Sequence, residues 1–156
     1  MSRRDQIRMT EEEQRAFLES SRTLILCSVG ADGVPHPMPM WFGLEDDGAV
    51  VMSTFTKSQK IKNLGRDPRV SLLAEAGESY DQLQGVVLYG TAELVPDAED
   101  VADILVRVTR RSGAVGDADD ETLKQGVMGT AVKRTGIRVR PDRVVSWDHR
   151  KLAGRY

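Results

Sequence analysis

The feature that most constrains the fold is a row of prolines at every second position, Pro35, Pro37 and Pro39, in a segment that otherwise resembles a strand. On a β-strand, alternate residues aim their backbone groups at the same flank, and proline has no N–H to donate. One flank of this strand therefore cannot pair normally with a neighbour. We expect that flank to face solvent, a second copy of the chain, or a ligand.

The side chains that alternate with the prolines are predicted to point into the core: His36, Met38, Met40, Phe42 and Leu44. Two interpretations of the segment stay open. The simpler one is an edge strand that prolines protect against aggregation. The functional one is a flat ring lying along residues Met38 to Trp41, where it meets the remaining backbone groups.

The rest of the pattern is typical of an antiparallel β protein. Turns at Ala31-Asp32-Gly33 and Asp46-Asp47-Gly48 join the first three strands into a meander. Predicted strands span Thr23–Val29, Val34–Leu44, Ala49–Thr54, Val70–Ala74 and Gly85–Val95. The closing strand or strands span Ile137–Arg140 and Val144–Trp147, with a bend at Pro141 and Asp142. Predicted helices span Thr10–Ser20, Ser58–Arg66, Asp97–Arg111 and Glu121–Met128. Tight turns disfavour a parallel doubly wound sheet, and about six antiparallel strands favour a small closed barrel.

Composition narrows the functional classes. The chain has 156 residues, so one domain over residues 1–156 is expected, and its net charge of −2 gives no general attraction to nucleic acid or anionic lipid. No apolar stretch is long enough to span a membrane, and Cys27 is the only cysteine, so a cytoplasmic protein is predicted. The two histidines are isolated, so no metal site is predicted. The sequence shows no acid–base pair, so no catalytic side chain is predicted.

A second segment collects hydroxyl and lysine side chains where the third strand turns into a helix. Ser53, Thr54, Thr56 and Ser58 come before the first helical turn. Lys57 and Lys60, with Lys62 near, surround that turn, and free N–H groups at a helix N-terminus attract anions. A phosphate site is one interpretation, and a solvated basic helix face with Ser58 as N-cap is the other. A P-loop is excluded because its glycine pattern is absent.

These two segments carry a family resemblance. Residues 33–42 (GVPHPMPMWF) and 57–70 (KSQKIKNLGRDPRV) resemble the split-β-barrel superfamily of pyridoxamine 5′-phosphate oxidase, and most resemble its actinobacterial F420- or FMN-dependent oxidoreductases. The resemblance implies a mainly β, six-stranded antiparallel Greek-key split barrel that dimerises with the cofactor at the subunit interface. It implies Lys57, Ser58 and Lys60 on the cofactor phosphate, with Ser53 and Thr54 on the adjoining chain. Met38, Pro39 and Met40 would run along the ring, and Asn63 would support the phosphate turn.

The resemblance also implies an activity: hydride transfer between the bound cofactor and a small reducible molecule, with F420 favoured over FMN. Two departures from the family are visible. Gln84 stands where many relatives carry arginine, and the residues that hold pyridoxamine phosphate are not recognisable, which argues against vitamin B6 oxidation. A carrier or sensor without turnover is the second hypothesis. A protein-interaction module that uses the proline-edged strand is the third.

Overall fold

The chain forms one antiparallel sheet that curls on itself, with helices at its ends and on one face. The computed structural model describes residues 2–113 and 115–154. Its strands are β1 (Thr23–Val29), β2 (Pro35–Trp41), β3 (Gly43–Leu44), β4 (Val50–Phe55), β5 (Arg69–Ala76), β6 (Gln84–Val95) and β7 (Arg134–Asp148). Its helices are α1 (Arg3–Ile7), α2 (Glu11–Ser20), α3 (Gln59–Arg66), α4 (Ala98–Ser112) and α5 (Asp120–Ala131). Two short 3-10 turns span Tyr80–Gln82 and His149–Leu152.

The strand order shows that the sheet is a split barrel. Neighbouring strands follow the order β2-β1-β5-β6-β7-β4-β3. The two outer strands, β2 and β3, are consecutive in the chain and separated only by Phe42, so the two ends of the sheet meet there. The barrel is therefore closed at β3 and open along β2. The predicted mainly β split barrel is confirmed.

The strand count differs from the expected six for one local reason. The predicted strand Val34–Leu44 is interrupted at Phe42, where the chain leaves its pairing with β1 and begins to pair with β4. The closing strand or strands predicted over Ile137–Arg140 and Val144–Trp147 form one long strand, β7, which runs through Pro141 opposite an irregular register at Tyr89 and Gly90 of β6. The sheet therefore has seven strands.

The core follows the alternation of the strands. Leu24, Leu26, Val50, Met52 and Ile137 are among its fully buried side chains, and such a side chain contributes about 1.5–3 kcal/mol when it leaves water. A second cluster joins α4 to the outer face of the sheet through Ile104, Val51 and Val95. Met9, Phe17 and Leu18, on and just before α2, join the first cluster. The barrel is thus packed inside, and a ligand site must lie at an edge or an end.

The predicted helices are confirmed, with shifts at their ends. The capping box of α2 is present, since the Thr10 hydroxyl accepts from the Glu13 N–H and the Glu13 carboxylate accepts from the Thr10 N–H. The last helix extends to Ala131, and α1 was not predicted because it is only five residues long. The predicted loop 113–120 contains residue 114, which lies outside the described residues. No helix in the described ranges is long and apolar enough to cross a membrane.

The proline row has the predicted effect. In the described parts of the chain, β2 pairs with β1 alone, in a register that places Pro39 opposite Ile25 and Pro37 opposite Cys27, so its other flank is free. The core prediction for this strand is correct for Met40 and Phe42 but wrong for Met38, which is 37% exposed. Met38 lies where no further strand closes the barrel, so nothing covers it.

Candidate cofactor site

The open part of the barrel lies between β2 and β4. The register of β3 on β4 places Gly43 opposite Val51, and the same register continued would place Trp41 opposite Ser53 and Pro39 opposite Phe55. In the described sheet no such pairing forms, because the prolines supply no N–H groups on that flank. We call the space between residues 38–41 of β2 and residues 53–55 of β4 the barrel cleft.

The barrel cleft leads directly to the start of α3. Beyond β4, the Ser58 N–H donates to the Phe55 carbonyl over 2.9 Å, and α3 begins at the next residue. Ser58 occupies the N-cap position, but its hydroxyl makes no capping hydrogen bond. Its Oγ is buried and has no partner among the described residues. The first turn of α3 therefore keeps unsatisfied N–H groups beside an unused hydroxyl, and both suit an anion.

Arg134 reaches the same place from β7. It lies opposite Phe55 in the β4–β7 register, and its guanidinium carbon lies over the Phe55 ring, 4.6 Å from the ring centroid. Its terminal nitrogen donates to the Ser53 carbonyl over 3.4 Å, whereas its Nε is buried without a described partner. The stack on Phe55 holds the guanidinium in position, and the free Nε–H leaves it able to bind a ligand oxygen.

Lys60 completes the arrangement. Burial lowers the pKa of its ammonium, and the positive charge of nearby Arg134 lowers that pKa further. Within the described residues, no carboxylate lies within ion-pair distance of Lys57, Lys60 or Arg134. We call Lys57, Ser58, Lys60 and Arg134 the α3 cluster. Its cations repel one another and have no counter-ion among the described residues. An incoming anion would therefore stabilise these cations.

Sequence reasoning found three members of the α3 cluster but missed Arg134. The residue is far along the chain, in the pair Lys133-Arg134 before the last strand, and resembles an ordinary solvated basic pair. Only the β4–β7 register brings it beside Phe55. No local sequence signal marks it.

The predicted residues of β4 lie on opposite faces of that strand. Thr54 is buried on the face of the barrel interior, opposite Thr135, whose hydroxyl is 3.0 Å from that of Thr56. Ser53 precedes it and points to the other face. A ligand lying on one face would therefore meet the side chain of only one of Ser53 and Thr54, and the other would offer its backbone.

Asn63 is fully buried and holds α3 against the barrel. Its Nδ2 donates to the Ser28 hydroxyl over 3.0 Å, and its Oδ1 accepts from Gln59 over 2.9 Å and from Arg66 over 3.4 Å. With these bonds made, Asn63 fixes the position of α3, and its predicted support of a phosphate turn stays a prediction.

The predicted ring-side residues divide into two groups. Met38 and Pro39 are exposed on the free flank side of β2, whereas the side chain of Met40 is buried in the core. Met38 and Pro39 point to opposite faces of β2, so a ring on one face of the barrel cleft would meet the side chain of only one of them, together with the backbone of Met40. Gln84 lies at the far end of β6, where it donates to Asp148 over 3.3 Å, and does not reach the α3 cluster.

The α3 cluster therefore fits a phosphate group, since a buried hydroxyl and a buried guanidinium N–H stand unpartnered beside a half-buried lysine. The described residues contain no group of three or more histidine, cysteine or acidic side chains that suits a metal ion.

Comparison with known proteins agrees with this fold. A conserved hypothetical protein of Mycobacterium tuberculosis is 42% identical, with a TM-score of 0.88 over 100% of this chain and 95% of that one. A structure described as an F420 reductase shares the fold at 22% identity, with a TM-score of 0.63 over 83% of this chain and 94% of that one.

A reductase of 5a,11a-dehydrotetracycline and 5a,11a-dehydrooxytetracycline from Streptomyces rimosus subsp. rimosus is 29% identical over 76 residues. That match spans 46% of this chain and 54% of the Streptomyces protein, about half the length of each. The family model of pyridoxamine 5′-phosphate oxidase matches residues 10–148, which include β1 to β7 and the whole α3 cluster. The chain belongs to the pyridoxamine 5′-phosphate oxidase family.

Proposed function

We propose that this protein is an oxidoreductase that binds a phosphate-bearing flavin or deazaflavin, with the phosphate in the α3 cluster and the ring in the barrel cleft. One observation carries the proposal: the Ser58 Oγ and the Arg134 Nε are buried without partners beside Lys60, a cation that has no carboxylate partner in the described chain. Buried polar atoms are normally satisfied, so a ligand oxygen is the missing partner.

The α3 cluster binds phosphate through three kinds of donor. Lys60 and Arg134 make charge-assisted hydrogen bonds, each worth about 1.5–3 kcal/mol. The Ser58 hydroxyl and the first-turn N–H groups of α3 add neutral donors in line with the helix dipole. Lys57 is exposed and attracts the anion from solvent without direct burial.

The barrel cleft orients the ring and keeps water from it. When bound, a flavin or deazaflavin supplies the hydride chemistry itself. Pro37 and Pro39 keep another strand out of the space. Met38 on one face of β2 and Trp41 on the other are exposed apolar side chains, so a flat ring on either face meets one of them. We further propose that two copies of the chain dimerise with the cofactor between them, so that exposed Trp41 and Phe55 become covered.

We propose F420 as the cofactor, with FMN as the alternative. The fold shared with a structure described as an F420 reductase supports F420. The match to a dehydrotetracycline reductase supports reduction of an organic acceptor, without naming the acceptor of this chain. Pyridoxamine phosphate is not proposed as substrate.

A titration of purified protein with F420 and with FMN tests the proposal, followed by absorbance and fluorescence. The proposal expects saturable binding of one of them and, after reduction, oxidation of the bound cofactor by an added organic acceptor. Binding without such oxidation would indicate a carrier or sensor. No binding of either cofactor would contradict the proposal and favour the protein-interaction module.

A further inference from the structure

The α3 cluster holds an amine nucleophile as well as anion donors. Lys60 is half-buried at the second position of α3, and its ammonium forms no hydrogen bond or ion pair with a described residue. Its pKa lies below the ordinary value of 10.5, because burial and the charge of Arg134 disfavour the ammonium form. At a given pH, a larger fraction of Lys60 is therefore the uncharged amine than of a solvated lysine.

The other lysines lack this combination. Lys124 lies between two carboxylates, at 2.8 Å and 3.1 Å, and hydrogen bonds to them raise the pKa of its ammonium. Lys151 donates to the Glu13 carboxylate over 2.5 Å. The remaining three are exposed: Lys57, Lys62 and Lys133. Of the six lysines in the chain, all of them described, only Lys60 is half-buried without a carboxylate partner.

The unpartnered donors of the α3 cluster lie beside this amine. Ser58, whose Oγ is buried without a described partner, precedes Lys60 by two residues at the start of α3. Arg134, whose Nε is likewise unpartnered, is close enough to lower the pKa of Lys60. A phosphoryl group bound by these donors therefore lies next to the Lys60 amine. In an acyl phosphate, a single bridging oxygen separates the phosphorus from an electrophilic carbonyl carbon.

We propose that Lys60 is an acylation site whose acyl donor is a small acyl phosphate bound in the α3 cluster, an inference that rests on the phosphate binding of the proposed function. The reaction would occur in cofactor-free protein, because the cofactor phosphate and the acyl phosphate compete for the same donors. An acylated lysine is neutral and makes no charge-assisted hydrogen bond. Acylation of Lys60 would therefore weaken binding of a phosphate-bearing cofactor and regulate its loading.

The proposed step is an acyl transfer in which nothing is oxidised or reduced. The Lys60 ammonium first loses a proton to water, and the resulting amine attacks the carbonyl carbon. The N–C bond of the amide forms, and the bond between the carbonyl carbon and the bridging oxygen breaks. Its electron pair leaves with the phosphate, which also takes the second proton that the nitrogen releases.

Two opposing effects set the rate of this step. A bound phosphate dianion stabilises the Lys60 ammonium, and each unit by which the pKa rises reduces the fraction of uncharged amine about tenfold. Holding the carbonyl carbon beside the amine acts in the other direction, since effective molarities of well-oriented groups reach about 10⁵–10⁸ M. Even a small part of that gain exceeds the loss. Bound acyl phosphate should thus react faster with Lys60 than with an exposed lysine.

Mass spectrometry of cofactor-free protein treated with acetyl phosphate tests the site, because it measures all six lysines in one sample. We expect Lys60 to be acetylated at least about tenfold faster than Lys62, an exposed lysine of the same helix. The Lys60 rate should saturate with acetyl phosphate and fall when inorganic phosphate is added. A Lys60 rate equal to that of Lys62, or one that neither saturates nor responds to phosphate, would overturn the proposal.

A phosphate-free reagent and a serine variant show whether bound phosphate directs the reaction. N-hydroxysuccinimidyl acetate should give a lower ratio of Lys60 to Lys62 acetylation than acetyl phosphate gives. Ser58→Ala, which removes a phosphate donor and no charge, should slow the acetyl phosphate reaction at Lys60 about three- to tenfold and leave the reaction with the phosphate-free reagent unchanged. Equal ratios with the two reagents, or a wild-type acetyl phosphate rate in folded Ser58→Ala, would contradict the proposal.

Cofactor affinity separates this inference from the proposed function. Bound cofactor should protect Lys60, and acetylated protein and Lys60→Gln should bind cofactor about 10- to 10²-fold more weakly, whereas Lys60→Arg keeps the charge and should lose less. Wild-type affinity in the acetylated protein would overturn the regulatory role. Cofactor binding without preferential Lys60 acetylation would overturn this inference alone. Saturable acetylation in a protein that binds neither F420 nor FMN would overturn the proposed function and leave the acylation site standing.

Discussion

Strand β7 carries arginines near both ends of its pairing with β4, and the side chains that these arginines contact differ between the two ends. Near the closed part of the barrel, Arg138 contacts Glu45 at 3.0 Å and Glu93 at 3.4 Å, and Arg140 contacts Asp47 at 3.1 Å. At the open end, Arg134 stacks on Phe55 and lies near Lys60 with no acidic partner among the described residues. The same strands therefore hold one neutralised end and one positive end.

The pKa shifts run in opposite directions at the two ends. The hydrogen bonds that Arg138 donates to the Glu45 carboxylate raise the pKa of Arg138, so its charge is stabilised inside the fold. Burial and Arg134 lower the pKa of Lys60, so its charge is unfavourable there without a ligand. Arg138, whose hydrogen bonds are satisfied, holds neighbouring strands together, whereas the unsatisfied Arg134 belongs to the proposed phosphate site.

The largest expected effect is on cofactor affinity and comes from removing the two positive side chains at the open end. The double variant Lys60→Ala/Arg134→Ala should bind the cofactor about 10²- to 10⁴-fold more weakly, because two charge-assisted contacts of about 1.5–3 kcal/mol each are lost. Arg140→Ala, which removes an equally basic side chain from the neutralised end, should bind nearly as wild type does. Equal losses in the two variants, measured by fluorescence titration, would remove the distinction between the ends.

The free energy of unfolding should depend more on Arg138, at the neutralised end, than on Arg134, at the positive end. The Arg138–Glu45 pair is only 21% exposed on each side, so Arg138→Ala leaves a carboxylate with fewer partners and should lower the free energy of unfolding by about 1–3 kcal/mol. Arg134→Ala should change it by less than about 0.5 kcal/mol, because it relieves repulsion as it removes packing on Phe55. Urea unfolding of the cofactor-free variants measures both, and a larger loss in Arg134→Ala would contradict the comparison.

A smaller effect concerns the titration of Lys60. Removing Arg134 should raise the pKa of the Lys60 ammonium, since one of its two depressing causes disappears, and inorganic phosphate should raise that pKa in wild type. Anion affinity should therefore weaken as pH rises through the lowered Lys60 pKa. Lysine-selective NMR follows the ammonium directly. A Lys60 pKa that is insensitive to both changes would show that the two cations do not interact.

The smallest effect is expected at an exposed pair outside both ends. Arg69 donates to Asp67 and lowers the pKa of that carboxyl to about 2. Because the folded-state pKa lies below the ordinary value of 3.8, its contribution to stability is present above about pH 4 and is lost as pH falls toward 2. Arg69→Ala should therefore alter acid unfolding slightly and leave neutral stability and cofactor binding unchanged. A measurable loss at neutral pH would show that exposed pairs matter more than this account allows.

Local patterns predicted much of the fold. The prolines predicted the free flank of β2, the Asp-Gly turns predicted the meander, and Thr10 and Glu13 predicted the start of α2. The lysines and hydroxyls at the start of α3 likewise lie in one stretch of sequence. Each of these features depends on neighbouring residues, and for that reason it can be recognised before the structure is known.

Features that depend on long-range register could not be predicted. Arg134 joins the α3 cluster only through its pairing with Phe55, and the break at Phe42 depends on where β4 ends its pairing with β3. The exposure of Met38 depends on the missing neighbour of β2.

The most direct test of the central claim compares ligands that carry the same ring with and without the phosphate-bearing tail. Calorimetric titration with FMN and riboflavin, and in parallel with F420 and its phosphate-free deazaflavin, is carried out on wild type and Lys60→Ala/Arg134→Ala. The account predicts that wild type binds the phosphate-bearing member of one pair at least about 10²-fold more tightly and that the double variant loses this preference. Equal affinity for both members of each pair, or a preference that survives in the double variant, would contradict it.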